Sequence, residues 1–210
     1  MNYYCDFVAI MQKTPLPCGS KTNQMKNLRL FPFLFAISIL LFTFGCEDDD
    51  DPMIENEEEV ITTATLTLIP NGPQETVTLG FSDPDGDGGN APSFTTTGQL
   101  VANASYRGQM AFGNEDGSIV SEIVSEGVDH QVFYVAGGGA NLTLSYDDLD
   151  LLGNPIGLVT MFNTGDAGTG TLTVTLRHEP TKGDMGATIN NPAAAGGSID
   201  AEITFAIDVQ

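Results

Sequence analysis

One loop of this chain spaces its residues for cation chemistry: Ser82-Asp83-Pro84-Asp85-Gly86-Asp87-Gly88-Gly89-Asn90. Carboxylates at alternate positions followed by glycine let a tight turn aim hard oxygen ligands at Ca²⁺. The EF-hand pattern is not completed, because its closing bidentate glutamate would fall where the chain has Phe94. Asp83, Asp85, Asp87 and Asn90 therefore predict an incomplete calcium loop, filled out by Asn90 or by an acid from a neighbouring loop. The plainer expectation is a solvated acidic turn, since Asp and Gly are ordinary turn formers.

His130 and His178 are the only histidines; the first follows Asp129 and the second stands between Arg177 and Glu179. A carboxylate–histidine pair can serve as a general base or as metal ligands. Their sequence separation says nothing about proximity, and local hydrogen bonding at strand ends is the default expectation. Asp147, Asp148 and Asp150 form a second acidic cluster, either another cation site or a solvated loop face. Tyr106, Phe133, Tyr134 and Tyr146 can in principle stack on a sugar ring, but on half-buried strands they are expected in the core. The chain has no Gly-x-Ser-x-Gly elbow, no His-Glu-x-x-His and no phosphate-binding loop.

These residues belong to a segment that follows a targeting signal. Leu30 to Gly45 is largely apolar, is preceded by Lys26 and Arg29, and ends at Cys46 before Glu47-Asp48-Asp49-Asp50-Asp51. A positive region, an apolar core and a small residue before the cleavage point make a secretory signal peptide. The run is short for a membrane span, which needs roughly 20 apolar residues, and Pro32 interrupts its start. With a cysteine first in the mature chain, residues 25–45 resemble a lipoprotein signal, and Cys46 is the expected lipidation site. Gly45 fits that pattern; Phe44 and Thr43 depart from it. Residues 1–24 lie upstream of a complete signal, so translation is expected to start at Met25.

Downstream of the signal, three basic residues (Arg107, Arg177 and Lys182) face 27 acidic ones, a net charge of −24. Such a surface repels nucleic acid and anionic headgroups and attracts cations. Cys46 is the only mature thiol, which excludes disulfides, thiolate catalysis and cysteine-ligated zinc within the mature chain. Residues 46–59 read as an acidic tether that like-charge repulsion extends.

From residue 60 to 210 the pattern has period two. The segments 60–69 and 76–81, joined by Pro70-Asn71-Gly72-Pro73, predict a hairpin. Further strands are predicted over 94–97, 105–113, 131–136, 141–146, 158–163, 170–178 and 199–209, each with alternate apolar residues. The last is expected to turn Ile199, Ala201, Ile203, Phe205, Ile207 and Val209 to one face. Over 119–126, Ile119, Val120, Ile123 and Val124 recur at helical spacing instead. About nine short strands with little helix predict an all-β domain, a two-sheet antiparallel β-sandwich of Ig-like or Greek-key type; an open β-barrel is the alternative.

The phrases Asp83-Pro84-Asp85-Gly86-Asp87-Gly88-Gly89-Asn90-Ala91-Pro92, His130-Gln131-Val132-Phe133-Tyr134, Gly153-Asn154-Pro155-Ile156-Gly157-Leu158 and Gly170 to Pro180 resemble a group of Bacteroidota outer-membrane lipoproteins. That group often carries the label "type 1 periplasmic binding fold superfamily protein". The label implies two lobes of alternating strands and helices, whereas the periodicity here implies strands. In such lipoproteins an acidic run directly after the cysteine resembles a surface-export signal, which Glu47 to Asp51 match.

The expectation is a lipid-anchored, surface-exposed outer-membrane protein whose sandwich is a non-catalytic binding or accessory module for a protein, glycan or cation. The alternatives are a calcium-stabilised structural protein and, less favoured, a hydrolase using His130 or His178. Mass spectrometry of the membrane-associated protein should find an acylated Cys46 at the N-terminus; an unmodified Met1 would remove both the restart and the lipid.

Overall fold

The computed structural model describes residues 60–86, 88–184 and 186–210. The signal segment, Cys46, the acidic tether and Asp87 lie outside the described residues. What is described is an all-β sandwich without a closed barrel, so the α/β lobes implied by the resemblance are not present in it. Its strands are β1 (Thr63–Pro70), β2 (Val77–Ser82), β3 (Ser93–Thr97), β4 (Ser105–Asn114), β5 (Gly117–Ser118), β6 (His130–Gly138), β7 (Leu142–Tyr146), β8 (Val159–Thr164), β9 (Gly168–His178) and β10 (Ser198–Val209). One short helix, α1 (Val120–Ser125), stands between β5 and β6.

The larger sheet runs β3-β2-β1-β4-β8-β7, with β5 paired to β4; the smaller runs β10-β9-β6. All strand pairs are antiparallel. Strands β1 to β4 lie in the order 3-2-1-4, a Greek key in which β4 returns beside β1. The predicted hairpin is β1·β2, with Leu66 opposite Leu79 and Leu68 opposite Val77. The tenth strand, the two-residue β5, has no apolar alternation by which sequence could announce it.

Alternation decides which face is dry. Ala64, Leu66, Leu68, Val77, Leu79, Tyr106, Met110 and Phe112 are buried on the large sheet. Val132, Tyr134, Leu172, Val174, Leu176, Ile203, Phe205, Ile207 and Val209 answer them from the small one. Burying each valine, leucine, isoleucine, methionine or phenylalanine among them contributes roughly 1.5–3 kcal/mol. Across the sheets, the Tyr134 ring meets Phe162 edge-on at 5.6 Å. Gly108 makes room for that ring, since a Cβ there would come within 2.4 Å of Phe162. The aromatic residues Tyr106, Phe133 and Tyr134 are buried, and the Tyr134 hydroxyl donates to the Gly157 carbonyl at 2.6 Å. In α1, Ile123 is buried, but Val124 is exposed and does not join the inward face.

The free edge of the small sheet is covered by loops. Val132 N–H donates to the Ile156 carbonyl and Tyr134 N–H to that of Ile189. Those loops are held by the carboxylates of the second acidic cluster. Asp148 accepts from the Gly157 and Val159 amides at 2.7 and 2.9 Å, and Asp150 from those of Leu152 and Asn154 at 2.8 and 2.9 Å. Asp150 also meets the Lys182 ammonium at 3.1 Å, with the two side chains 0% and 5% exposed. The same ammonium donates to the carbonyls of Gly127 and Pro155. This cluster is therefore neither a wholly solvated face nor a bare cation site: all three of its acids meet protein donors, Asp147 through the Arg107 guanidinium at 3.1 Å.

Burial pushes the Asp150 carboxyl up, but the Asn154 amide, Lys182 and the Leu152 amide outweigh it and hold the group below the usual carboxylate range. Burial pulls Lys182 down, against the opposing pull of Asp150. Because the folded pKa of Asp150 lies below its unfolded value of about 3.9, its stabilisation is complete above that pH and is lost as pH falls through the folded value. Lys182→Met should lower unfolding free energy by about 3–5 kcal/mol in denaturant melts, because it strands a buried carboxylate. Adding Asp150→Asn should recover part of that loss; an undiminished loss would show that charge burial is not the cause.

Candidate functional site

The β6·β9 register sets His130 directly opposite His178. Both lie on the inward face, in line with Val132 and Tyr134 on β6 and with Leu176 and Val174 on β9. The alternation that builds the core thus ends, at one end of the small sheet, in a cross-strand pair of imidazoles. Their rings stack at 4.7 Å between centroids and 17° between planes. The two histidines that sequence left unrelated are neighbours.

The third strand contributes a residue that the sequence reading missed. Between Ile199 and Ala201 the β9·β10 register shifts, and Asp200 is the extra residue of that bulge. A bulge re-aims a side chain that strict alternation would send to the opposite face. The Asp200 carboxylate reaches 3.8 Å from His130 Nε2, and its side chain is 4% exposed against 8% for His130. The bulge also overturns one expectation for the strand: Ile199 is exposed, while Ile203, Phe205, Ile207 and Val209 keep the inward face. The adjacent Gly196-Gly197 is the one sequence signal that regular alternation could break here.

Other contacts fix the site. His130 Nδ1 lies 3.3 Å from the carbonyl of Glu126, the residue that caps α1, and 3.9 Å from its carboxylate. Glu179, just after His178, takes a positive φ of 51° and donates its amide to the Asp129 carbonyl at 2.6 Å. The Arg177 guanidinium donates to the Gly196 and Gly197 carbonyls at 2.8 and 3.0 Å, pinning the chain just ahead of the bulge. Gly197 has φ 72°, and a Cβ there would meet the His178 carbonyl oxygen at 2.2 Å.

His130 turns Nδ1 toward the Glu126 carbonyl and Nε2 toward the Asp200 carboxylate. One ligand atom from each of His130, His178 and Asp200 lies within 4.8 Å of the others. Two imidazoles and a carboxylate can hold a cation, or pass a proton. A cleft of about 690 Å³ opens elsewhere, bounded by Val77, Leu79 and Leu100 and by Thr171, Ala206 and Ile207; the histidines and Asp200 do not line it.

The acidic loop is arranged differently. Asp85 accepts from both the backbone and the side-chain amides of Asn90, at 3.2 and 2.8 Å, and these bonds hold its carboxyl below the ordinary value. Asp83 leads the turn, accepting from the Gly86 amide through its carbonyl, and Asp87 is outside the described residues. Two of the four predicted calcium ligands are thus bonded to each other. The third predicted tyrosine platform, Tyr146, donates its hydroxyl to the Val132 carbonyl and accepts from Gln131, which braces the loop side of β6.

Compared with known proteins, the chain matches no family model, no curated protein and no solved structure.

If Gly197 is needed for the bulge, Gly197→Ala should cost about 1–3 kcal/mol and disturb the histidine stack. Thermal melts and the imidazole NMR resonances measure the two effects; unchanged histidine resonances would separate the bulge from the site.

Proposed function

We propose that this chain is a lipid-anchored envelope protein whose β-sandwich is a non-catalytic binding module exposed at the cell surface. The anchor rests on Cys46 after its apolar run, and the presentation on the acidic tether over 46–59. The observation that carries the binding reading is the convergence of His130, His178 and Asp200 on three adjacent strands. Polar groups are costly at positions where alternation would place apolar ones, so a preformed cluster of three favours a ligand over packing. Strands also hold such groups more rigidly than loops do. The strongly anionic domain adds a field that draws cationic ligands toward it.

Two measurements test the reading. Radiolabelled palmitate should enter the wild-type chain but not Cys46→Ala, and proteinase K should remove the domain from intact cells. Full-length protein displayed on cells should also retain one class of ligand, among divalent cations, glycan fragments and envelope proteins, above a chain truncated after the tether. A Cys46→Ala protein that stays in the membrane fraction would overturn the anchor; no retained class would overturn the binding module.

A further inference from the structure

We infer that His130, His178 and Asp200 bind one first-row divalent transition-metal ion of the zinc class, joining the three strands of the small sheet. The inference rests on the binding reading above and names the ligand of that site.

The donor set is the first argument. Two imidazole nitrogens and one carboxylate oxygen suit borderline ions such as Zn²⁺, whereas Ca²⁺ takes six or more oxygens. Three protein ligands with a fourth position left over is a recurring zinc arrangement.

Distance is the second. His130 Nε2 and Asp200 Oδ2 are 3.8 Å apart, too far for a hydrogen bond. Ligand atoms about 2.0–2.1 Å from a tetrahedral ion lie about 3.3 Å from one another, so the pair must close by only a fraction of an ångström. All three ligand atoms already fall within 4.8 Å.

The surrounding shell is the third. Metal-bound histidine gives its other ring N–H to a carbonyl or carboxylate, which fixes the tautomer and the ring orientation. At His130 the Glu126 carbonyl lies 3.3 Å from Nδ1 and its carboxylate 3.9 Å, leaving Nε2 on the Asp200 side. The rings now stack at 17°, so binding must turn them about their Cβ–Cγ bonds until the lone pairs converge.

The strand connectivity gives the consequence. His130 is on β6, His178 on β9 and Asp200 on β10, the complete small sheet. An ion held by all three binds the folded state and not the unfolded chain, so it must raise the melting temperature.

The test uses the full-length chain purified in detergent, stripped with chelator and titrated with zinc chloride against a chromogenic competitor. One equivalent should bind, the melting temperature should rise, and the histidine ring resonances should move. His178→Ala and His130→Ala should lose that equivalent, and Asp200→Asn should weaken it about 10–100-fold. Calcium chloride at the same concentration should not displace it. Should an alanine variant fail to fold, His178→Gln replaces it, and Co²⁺ in the wild-type protein gives the readout: visible bands of four-coordinate cobalt are expected. Zinc bound equally well by the wild type and by folded His178 variants would overturn the inference, placing the metal on the acidic tether instead. So would no binding, or octahedral cobalt only. A retained glycan or protein without zinc would defeat the metal and leave the binding module standing.

Discussion

The Lys182 ammonium sits almost without water between the Asp150 carboxylate and the carbonyls of Gly127 and Pro155. Those partners belong to the turn after α1 and to the loop between β7 and β8, while Lys182 itself lies in the long β9–β10 connection. One buried charge thus gathers three irregular segments that share no strand ladder. The arrangement is conditional, because a buried pair stabilises only while every donor and acceptor is matched. Here Asp150 is further matched by two amides, which is what keeps the ion pair ionised.

From that junction the small sheet obtains its boundaries. Pro155 leads into Ile156, whose carbonyl takes the Val132 amide, and the β9–β10 connection supplies the Ile189 carbonyl for Tyr134. An otherwise open edge of β6 is thereby closed without another strand, the usual remedy for unpaired backbone in a short sheet. Gly127 precedes Asp129 and His130, and the β9–β10 connection ends at the glycine pair before Asp200. The elements that close the edge are therefore those that deliver the histidine and the aspartate to one place.

Much of the fold was legible because alternation is a local property. Val174 between threonines, or Met110 between Gln109 and Ala111, declares its face within a few residues, and nine strands and the first hairpin follow from such runs. The order of strands was not legible. Nothing in β1 says that β4 will return beside it, since that choice is made by core complementarity over long separations. The site was half legible for the same reason. His130 and His178 stood out by their type, but their pairing is a matter of register between distant strands. Asp200 was hidden because a bulge, not a pattern, turns it inward. Asp148 and Asp150 were misjudged because acidic runs are normally solvated, and the amides that claim them come from residues further along the loop.

The economy of positive charge has an analytical consequence. Lys182 is the only lysine between Cys46 and Gln210, and its ammonium is enclosed; Arg177 lies in β9 and Arg107 in β4, paired with Asp147 at 3.1 Å. A folded domain of this kind offers amine-reactive labels no accessible lysine, and offers trypsin only bonds locked in strands or beside a buried side chain. Amine-reactive labelling and digestion with trypsin under native conditions would both report poorly on this domain.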